Sequence, residues 1–211
     1  MKRAAYFMLS FIVIGFVSSS VFAAENEALK LVSDTTKLIQ KKIKEEDAAI
    51  KANPEHLYNL VDEIVLTHFD FRYMSSIVLG KNWRKASKDQ KQRFTEQFGR
   101  LLVRTYSKAL QDNADQKINI LPLRGKPDGK DLTVRTEVEQ QAGFPIPIDY
   151  KMHFKDDKWK VYDVLIDSIS LVINYRTSFN QEIKASPKGI DGLIASLENR
   201  NGQPANEKVT Q

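Results

Sequence analysis

Groups whose type and spacing could do chemistry are sparse in this chain of 211 residues. The three histidines, His56, His68 and His153, are scattered: none lies at i, i+4 from another and none has an acid at the spacing of a zinc ligand set, so no metal site is expected. There is no cysteine, which removes thiolate ligands and any disulfide framework and leaves stability to the core. Adjacent carboxylates occur at Glu45-Glu46 and Asp156-Asp157, in helix-end and turn contexts where acids stay solvated. No G-x-S-x-G, P-loop or G-x-G-x-x-G pattern is present, so hydrolase, nucleotide and dinucleotide readings have no support. Asp163 is the exception, a lone carboxylate in an apolar strand, where it costs free energy unless paired. Two readings of it stand. It is satisfied by a nearby Arg, Lys or backbone amide and serves structure alone, or it is a general base in a pocket, for which no companion acid or oxyanion donor is visible.

What the chain has in place of reactive groups is apolar and aromatic surface, and the elements that carry it are legible. The densest stretch runs from Trp159 to Ile183: Trp159 to Ile166 reads as a strand, and from about Ile169 the residues Val172, Tyr175, Phe179 and Ile183 recur at spacings of three and four, one face of a helix. Upstream, an amphipathic helix is expected over Glu27 to Lys44, and a second from Asn53-Pro54 to about Thr67, opened by an N-cap and a proline at the first helical position. Asp70 caps a short helix that Gly80 ends, and Ser87 to Gln90 forms a capping box. The helix after it carries Phe94, Phe98, Leu101, Leu102, Tyr106 and Leu110 on one face and ends near Asp112.

The period then changes from 3.6 to two. Strands are expected around Ile118–Ile120, Leu132–Val138, Ile146–Phe154 and Trp159–Ile166, with turns at Gly125 to Lys130, Ala142-Gly143 and Asp156-Asp157. Pro147 argues for an edge or irregular pairing, and His153, on the face opposite Tyr150, is expected in solvent. A last short helix fits Ile190 to Leu197, before a polar, frayed tail over 201–211. The expected fold class is α+β: a curved antiparallel sheet of about four to five strands packed against several helices, cone-like, with an internal apolar cavity.

The first residues, MKRAAYFMLSFIVIGFVSSSVFA, have a basic start at Lys2-Arg3, an apolar run from Tyr6 to Val17 and a small-residue exit at Val21-Phe22-Ala23, which is a secretory signal peptide cleaved after Ala23. Residues 24–211 then form one domain with its tail, without a lipid anchor, because no cysteine stands at the cleavage point. Losing Lys2 and Arg3 lowers the formal charge from +5 to +3, with 30 basic residues against 27 acidic. The charges are interspersed, so nucleic acid is not expected as a partner.

Two blocks of residues carry a resemblance. The run from Val78 through Gly80-Lys81-Asn82-Trp83-Arg84-Lys85 and Gln90, Phe94, Phe98 and Tyr106 to Ala109-Leu110 resembles the MlaC (toluene-tolerance Ttg2-type) phospholipid-binding proteins of Gram-negative bacteria. So do Trp159-Lys160-Val161-Tyr162-Asp163-Val164, Ser168-Ile169-Ser170, Tyr175-Arg176, Phe179 and Lys188-Gly189-Ile190-Asp191-Gly192-Leu193, with Ala52-Asn53-Pro54 earlier in the chain. The resemblance implies a soluble, monomeric periplasmic carrier and no catalysis. It also implies partners: diacyl phospholipid as cargo, with no other cofactor, and Mla-type complexes at the two membranes, an outer-membrane lipoprotein complex and an inner-membrane ABC transporter complex. The task implied is outer-membrane lipid asymmetry.

With acyl tails as the implied guest, the expected lining is Met74, Val78, Phe98, Leu102 and Tyr106 from helices and Val134, Tyr150 and Met152 from strands. The strand-to-helix stretch adds Ile169, Val172, Tyr175 and Phe179, with Ile169 at the mouth. Lys81, Arg84, Lys85 and Lys88 are a candidate docking face. Two other classes remain open: a small cone-fold enzyme acting on an apolar substrate with Asp163 as base, and a periplasmic adaptor whose apolar excess is closed core.

Overall fold

The computed structural model describes residues 18–124 and 130–203. The expected signal peptide therefore lies outside the described residues up to residue 17, as do most of the Gly125–Lys130 turn and the tail from residue 204. The described chain forms helices α1 (Ser18–Glu45), α2 (Asp47–Ala52), α3 (Pro54–Ile64), α4 (Phe71–Leu79), α5 (Lys81–Lys85) and α6 (Lys88–Asp112). Strands β1 (Ile118–Ile120), β2 (Asp131–Val138), β3 (Ile146–Lys155), β4 (Lys158–Ile166) and β5 (Ile169–Ser170) follow, and then helices α7 (Leu171–Ala185) and α8 (Ile190–Gly202).

The helix starts are set locally. Asn53 accepts from the Glu55 amide at 3.1 Å while Pro54, which has no amide to satisfy, takes the first position of α3. Asp70 accepts from the Tyr73 amide at 2.9 Å and opens α4. Both bonds of the Ser87–Gln90 box are made, at 2.9 and 3.1 Å. Helices α2 and α5 are the additions to the sequence reading; at one to two turns they are too short to show a stripe. Helix α8 continues past Leu197, and Asn201, expected to fray, donates to the Gln97 carbonyl at 2.9 Å.

The sheet is an open antiparallel meander in the order β1-β2-β3-β4-β5. Strand β3 is central rather than an edge, so of the two readings of Pro147 the edge is corrected and the irregular pairing remains. Its proline stands opposite Glu137 of β2 at the end of the strand, beyond the β4 ladder, where a missing amide breaks nothing and its carbonyl accepts from Asp167 at 3.0 Å. Cross-strand register puts Leu132, Val134, Thr136 and Val138 on one face with Ile146, Ile148, Tyr150 and Met152.

Strand β4 departs from strict alternation. Lys151 pairs with Asp163 but Met152 pairs with Val161, so Tyr162 is an extra, bulged residue. Before the bulge Val161 faces inward; after it Val164 and Ile166 do, opposite Tyr150 and Ile148. Without the bulge Asp163 would share the inner face with Val161. With it, Asp163 turns to α7 and is only 1% exposed. Its carboxylate accepts from the Ser170 hydroxyl at 2.7 Å and the Val172 amide at 3.2 Å, and Lys151 Nζ lies 3.6 Å away. Ser170 in turn caps α7 by accepting from the Ile173 amide.

On that outer side His153 is not in solvent as expected. It lies 3.2 Å from the Asp70 carboxylate with its ring 5.0 Å from Tyr73 and 5.3 Å from Tyr162, enclosed because α4 docks there. Burial would raise the Asp70 carboxyl, but Lys155 at 2.8 Å and the Tyr73 amide together hold it below the ordinary carboxylate value.

Three clusters fill the interior. The first joins α4, α6, α7 and α8 around Met74, Phe94, Phe98, Phe179 and Leu193, with the rings of Phe98 and Phe179 edge to face at 6.1 Å. A second lies between α1 and the inner sheet face, and a third among α1, α2, α3 and α6.

Replacing Asp163 by Ala is expected to destabilise the fold by about 1–3 kcal/mol, since a buried hydroxyl and amide at the start of α7 lose their acceptor. The urea midpoint checks this, and an unchanged midpoint would remove Asp163 as the anchor of α7.

Candidate functional site

The sheet's inner face and the helices above it do not close on one another. Between α1, α3 with the single turn after it (Leu66–His68), α6 and the sheet lies a cavity of about 300 Å³. A void for one water needs only about 15 Å³, whereas ligand pockets begin near roughly 300 Å³. This is therefore room for a guest rather than a packing defect. Helix α1 supplies Leu31, Val32, Ile39 and Ile43, and α6 supplies Leu102, Val103, Tyr106 and Leu110. The floor is the sheet: Ile148, Tyr150 and Met152 from β3, Val161, Val164 and Ile166 from β4. Leu110 and Ile146 line the cavity yet remain 36% and 37% exposed, which locates its mouth at the end of the sheet where β3 begins.

Among the described residues, no Asp, Glu, Lys or Arg lines this space. Several of its polar side chains are already engaged within the fold: Ser107 donates to the Val103 carbonyl at 2.6 Å, Asn113 to Ala109 at 2.8 Å and Gln40 to Gln116 at 2.9 Å. The titratable ones are kept neutral. Burial, with Lys160 adding to it, lowers the His68 imidazole below its ordinary value; burial pushes the Tyr150 phenol up to about 12, and burial and then Tyr175 raise Tyr106 further. An uncharged, apolar cavity can shield hydrocarbon.

Of the residues expected to line the pocket, the structure gathers Leu102, Tyr106, Tyr150 and Met152 around the cavity. Met74, Val78, Phe98, Val172 and Phe179 are packed among the helices of the first cluster, with Tyr175 against it, and Val134 is buried in the second. The helical ones turn to a neighbouring helix rather than to the cavity, because α4, α6, α7 and α8 form a layer of their own. Tyr175 stands behind the wall, beside Tyr106. Ile169 lies at the rim: it pairs with Ile166 at the sheet edge, two residues before the lining Leu171, and is 61% exposed. The α1 stripe and the Val61–Leu66 segment were missed as lining. Their spacing was the signal, but a stripe facing a cavity reads the same as one facing core.

Asp163 does not line the cavity; its partners belong to the start of α7. His56 pairs with Glu46, and among the described residues no cluster of His, Asp and Glu fit for a metal occurs. Lys81, Arg84, Lys85 and Lys88 are exposed on α5 and at the start of α6. Among the described residues no helix is long and apolar enough to cross a membrane.

Comparison with known proteins gives a consistent picture. The MlaC protein family matches residues 33–199. The intermembrane phospholipid transport system binding protein MlaC of Haemophilus influenzae is 27% identical over 200 residues, 93% of this chain and 92% of that one. The toluene tolerance protein ttg2D of Pseudomonas putida is 29% identical over 165 residues, 78% of this chain and 76% of its own. Among solved structures, a phospholipid-binding protein from Ralstonia solanacearum in complex with a phospholipid matches with a TM-score of 0.76 at 30% identity, over 84% of this chain and 98% of that one.

The cavity and the packed layer respond differently to added volume. Val164→Phe extends into open space and is expected to change stability by less than about 1 kcal/mol, while Val172→Phe overpacks a filled site and costs about 1–3 kcal/mol. Urea unfolding of the two variants side by side checks this; equal losses would mean that the space beside Val164 is not free.

Proposed function

The chain belongs to the MlaC protein family, and from this premise we propose that it is a phospholipid-binding transport protein that carries acyl tails in the cavity between α1, α6 and the sheet. The observation that carries the reading is the cavity itself, about 300 Å³ of apolar space with no charged side chain on its wall among the described residues. Left empty, such a volume would cost on the order of 7 kcal/mol at about 24 cal/mol per Å³, a large share of the roughly 5–15 kcal/mol that stabilises a domain. A chain that keeps this space gains from an occupant that binds only the folded state.

The need for a carrier follows from the cargo. Two acyl chains of about 16 carbons, at about 0.8 kcal/mol for each methylene shielded from water, represent on the order of 25 kcal/mol against crossing an aqueous space unprotected. A bilayer hides the tails equally well, so loading is near neutral and direction must come from partners. An uncharged wall with a headgroup left in water selects hydrocarbon rather than headgroup charge.

In this reading Leu102, Tyr106, Tyr150 and Met152 touch the tails, the α1 stripe and Val161, Val164 and Ile166 complete the wall, and Ile169 stands at the mouth. The remaining expected contacts, from Met74 to Phe179, hold the wall in place. The protein works in the periplasm after losing its signal peptide, exchanging lipid with Mla-type complexes at the two membranes and catalysing nothing. An enzymatic reading would require Asp163 beside a substrate, and its carboxylate is engaged at the α7 N-terminus instead.

Native mass spectrometry of detergent-free protein is expected to find diacyl phospholipid on the purified chain. Val164→Phe, folded but with the cavity partly filled, should retain several-fold less of it. A well-folded chain that never carries lipid would overturn the proposal.

A further inference from the structure

Near the mouth of the cavity stand apolar side chains that the described residues leave exposed. Phe144, in the turn between β2 and β3, is 92% exposed, the most exposed of the large hydrophobic residues. Two residues on, Ile146 reaches into the cavity mouth and is itself 37% exposed. Across the same end of the sheet Ile169 is 61% exposed, and Ile173, in the first turn of α7, is 52% exposed. From Gln140 to Ile148 the sequence QQAGFPIPI has no charged residue. Gly143, at φ +97°, makes the turn just before Phe144, and a side chain in its place would meet nothing within 4 Å.

Resting on the carrier reading above, we propose that this tip is the contact with a lipid surface: Phe144 enters the interface of a bilayer beside the cavity mouth, so that an acyl tail passes between membrane and cavity without a water-filled gap. The chemistry favours lipid over a protein partner. A specific protein interface needs on the order of 800 Å² from each side with matched shape and polar groups, and this tip offers a single aromatic ring on a narrow turn. A bilayer interface asks for no shape match, favours aromatic rings at its boundary and penalises charges and unpaired amides. The tip has no charge, and Pro145 and Pro147 remove two of its amide donors. Phe144 stands two residues before Ile146, which lines the cavity.

The test uses the full chain loaded with a fluorescent phospholipid and vesicles of phosphatidylcholine. Phe144→Glu is expected to slow transfer to the vesicles about tenfold, the loss of one buried aromatic contact, with the lipid bound per chain unchanged. Phe144→Trp is expected to transfer at the normal rate and to show a blue shift of emission when vesicles are added, above the background of Trp83 and Trp159. Transfer by Phe144→Glu at the normal rate, as would follow if the tip seated in a protein's apolar pocket, overturns the proposal. So does an absent shift, and so does a loss of bound lipid, which would make Phe144 part of the cavity. A chain that purifies without lipid would instead count against the carrier reading, while the Phe144→Trp shift would still decide the tip.

Discussion

A single extra residue in β4 organises the molecule. Tyr162 interrupts the alternation of the strand, so that one carboxylate and one aromatic ring go to the outer side and three aliphatic residues go to the inner. Outside, Asp163 binds the Ser170 hydroxyl and the Val172 amide and fixes where α7 begins, while Tyr162 meets Tyr73 of α4 at 5.5 Å between ring centroids. Inside, Val161, Val164 and Ile166 form an unbroken apolar floor. A regular strand of this sequence would direct a carboxylate toward the cavity, where nothing could satisfy it cheaply.

The same bulge separates two kinds of apolar surface that the fold uses differently. Leu171 and Val172 are neighbours in the chain, yet Leu171 lines the cavity and Val172 is packed with Phe98 and Phe179. The layer of α4, α6, α7 and α8 is filled by interlocking rings, and this gives the chain a core that does not depend on the cavity contents. Helix α1 and the sheet can then stand apart around a space that an ordinary domain would collapse to fill. The neutral state of Tyr106, Tyr150 and His68 belongs to this arrangement, because the surroundings that exclude water also exclude charge.

Exposure at the mouth follows from the same design. A cavity meant for tails must open somewhere, and its rim must be apolar on the inside while the exterior stays wet. Leu110 and Ile146 are half in and half out for that reason, and Ile169 sits one strand farther on the same face. The short edge strand β5, only two residues long, leaves little unpaired backbone beside the opening.

The elements and their buried faces were decided by the sequence alone, because they rest on local physics: the 3.6 period of α6, the alternation of β2 and β3, and the caps at Asn53, Asp70 and Ser87. The short helices α2 and α5 and the bulge at Tyr162 were not legible, since each is too small to produce a period. Which apolar face meets a cavity and which meets another helix was decided only by the tertiary structure. Phe98 and Leu102 lie one turn apart on the same stripe of α6, yet Phe98 is enclosed by Phe94, Tyr175 and Phe179 while Leu102 borders open space. Hydrophobicity states that a side chain must leave water. Where it goes, and whether the place is filled, depends on how distant segments pack.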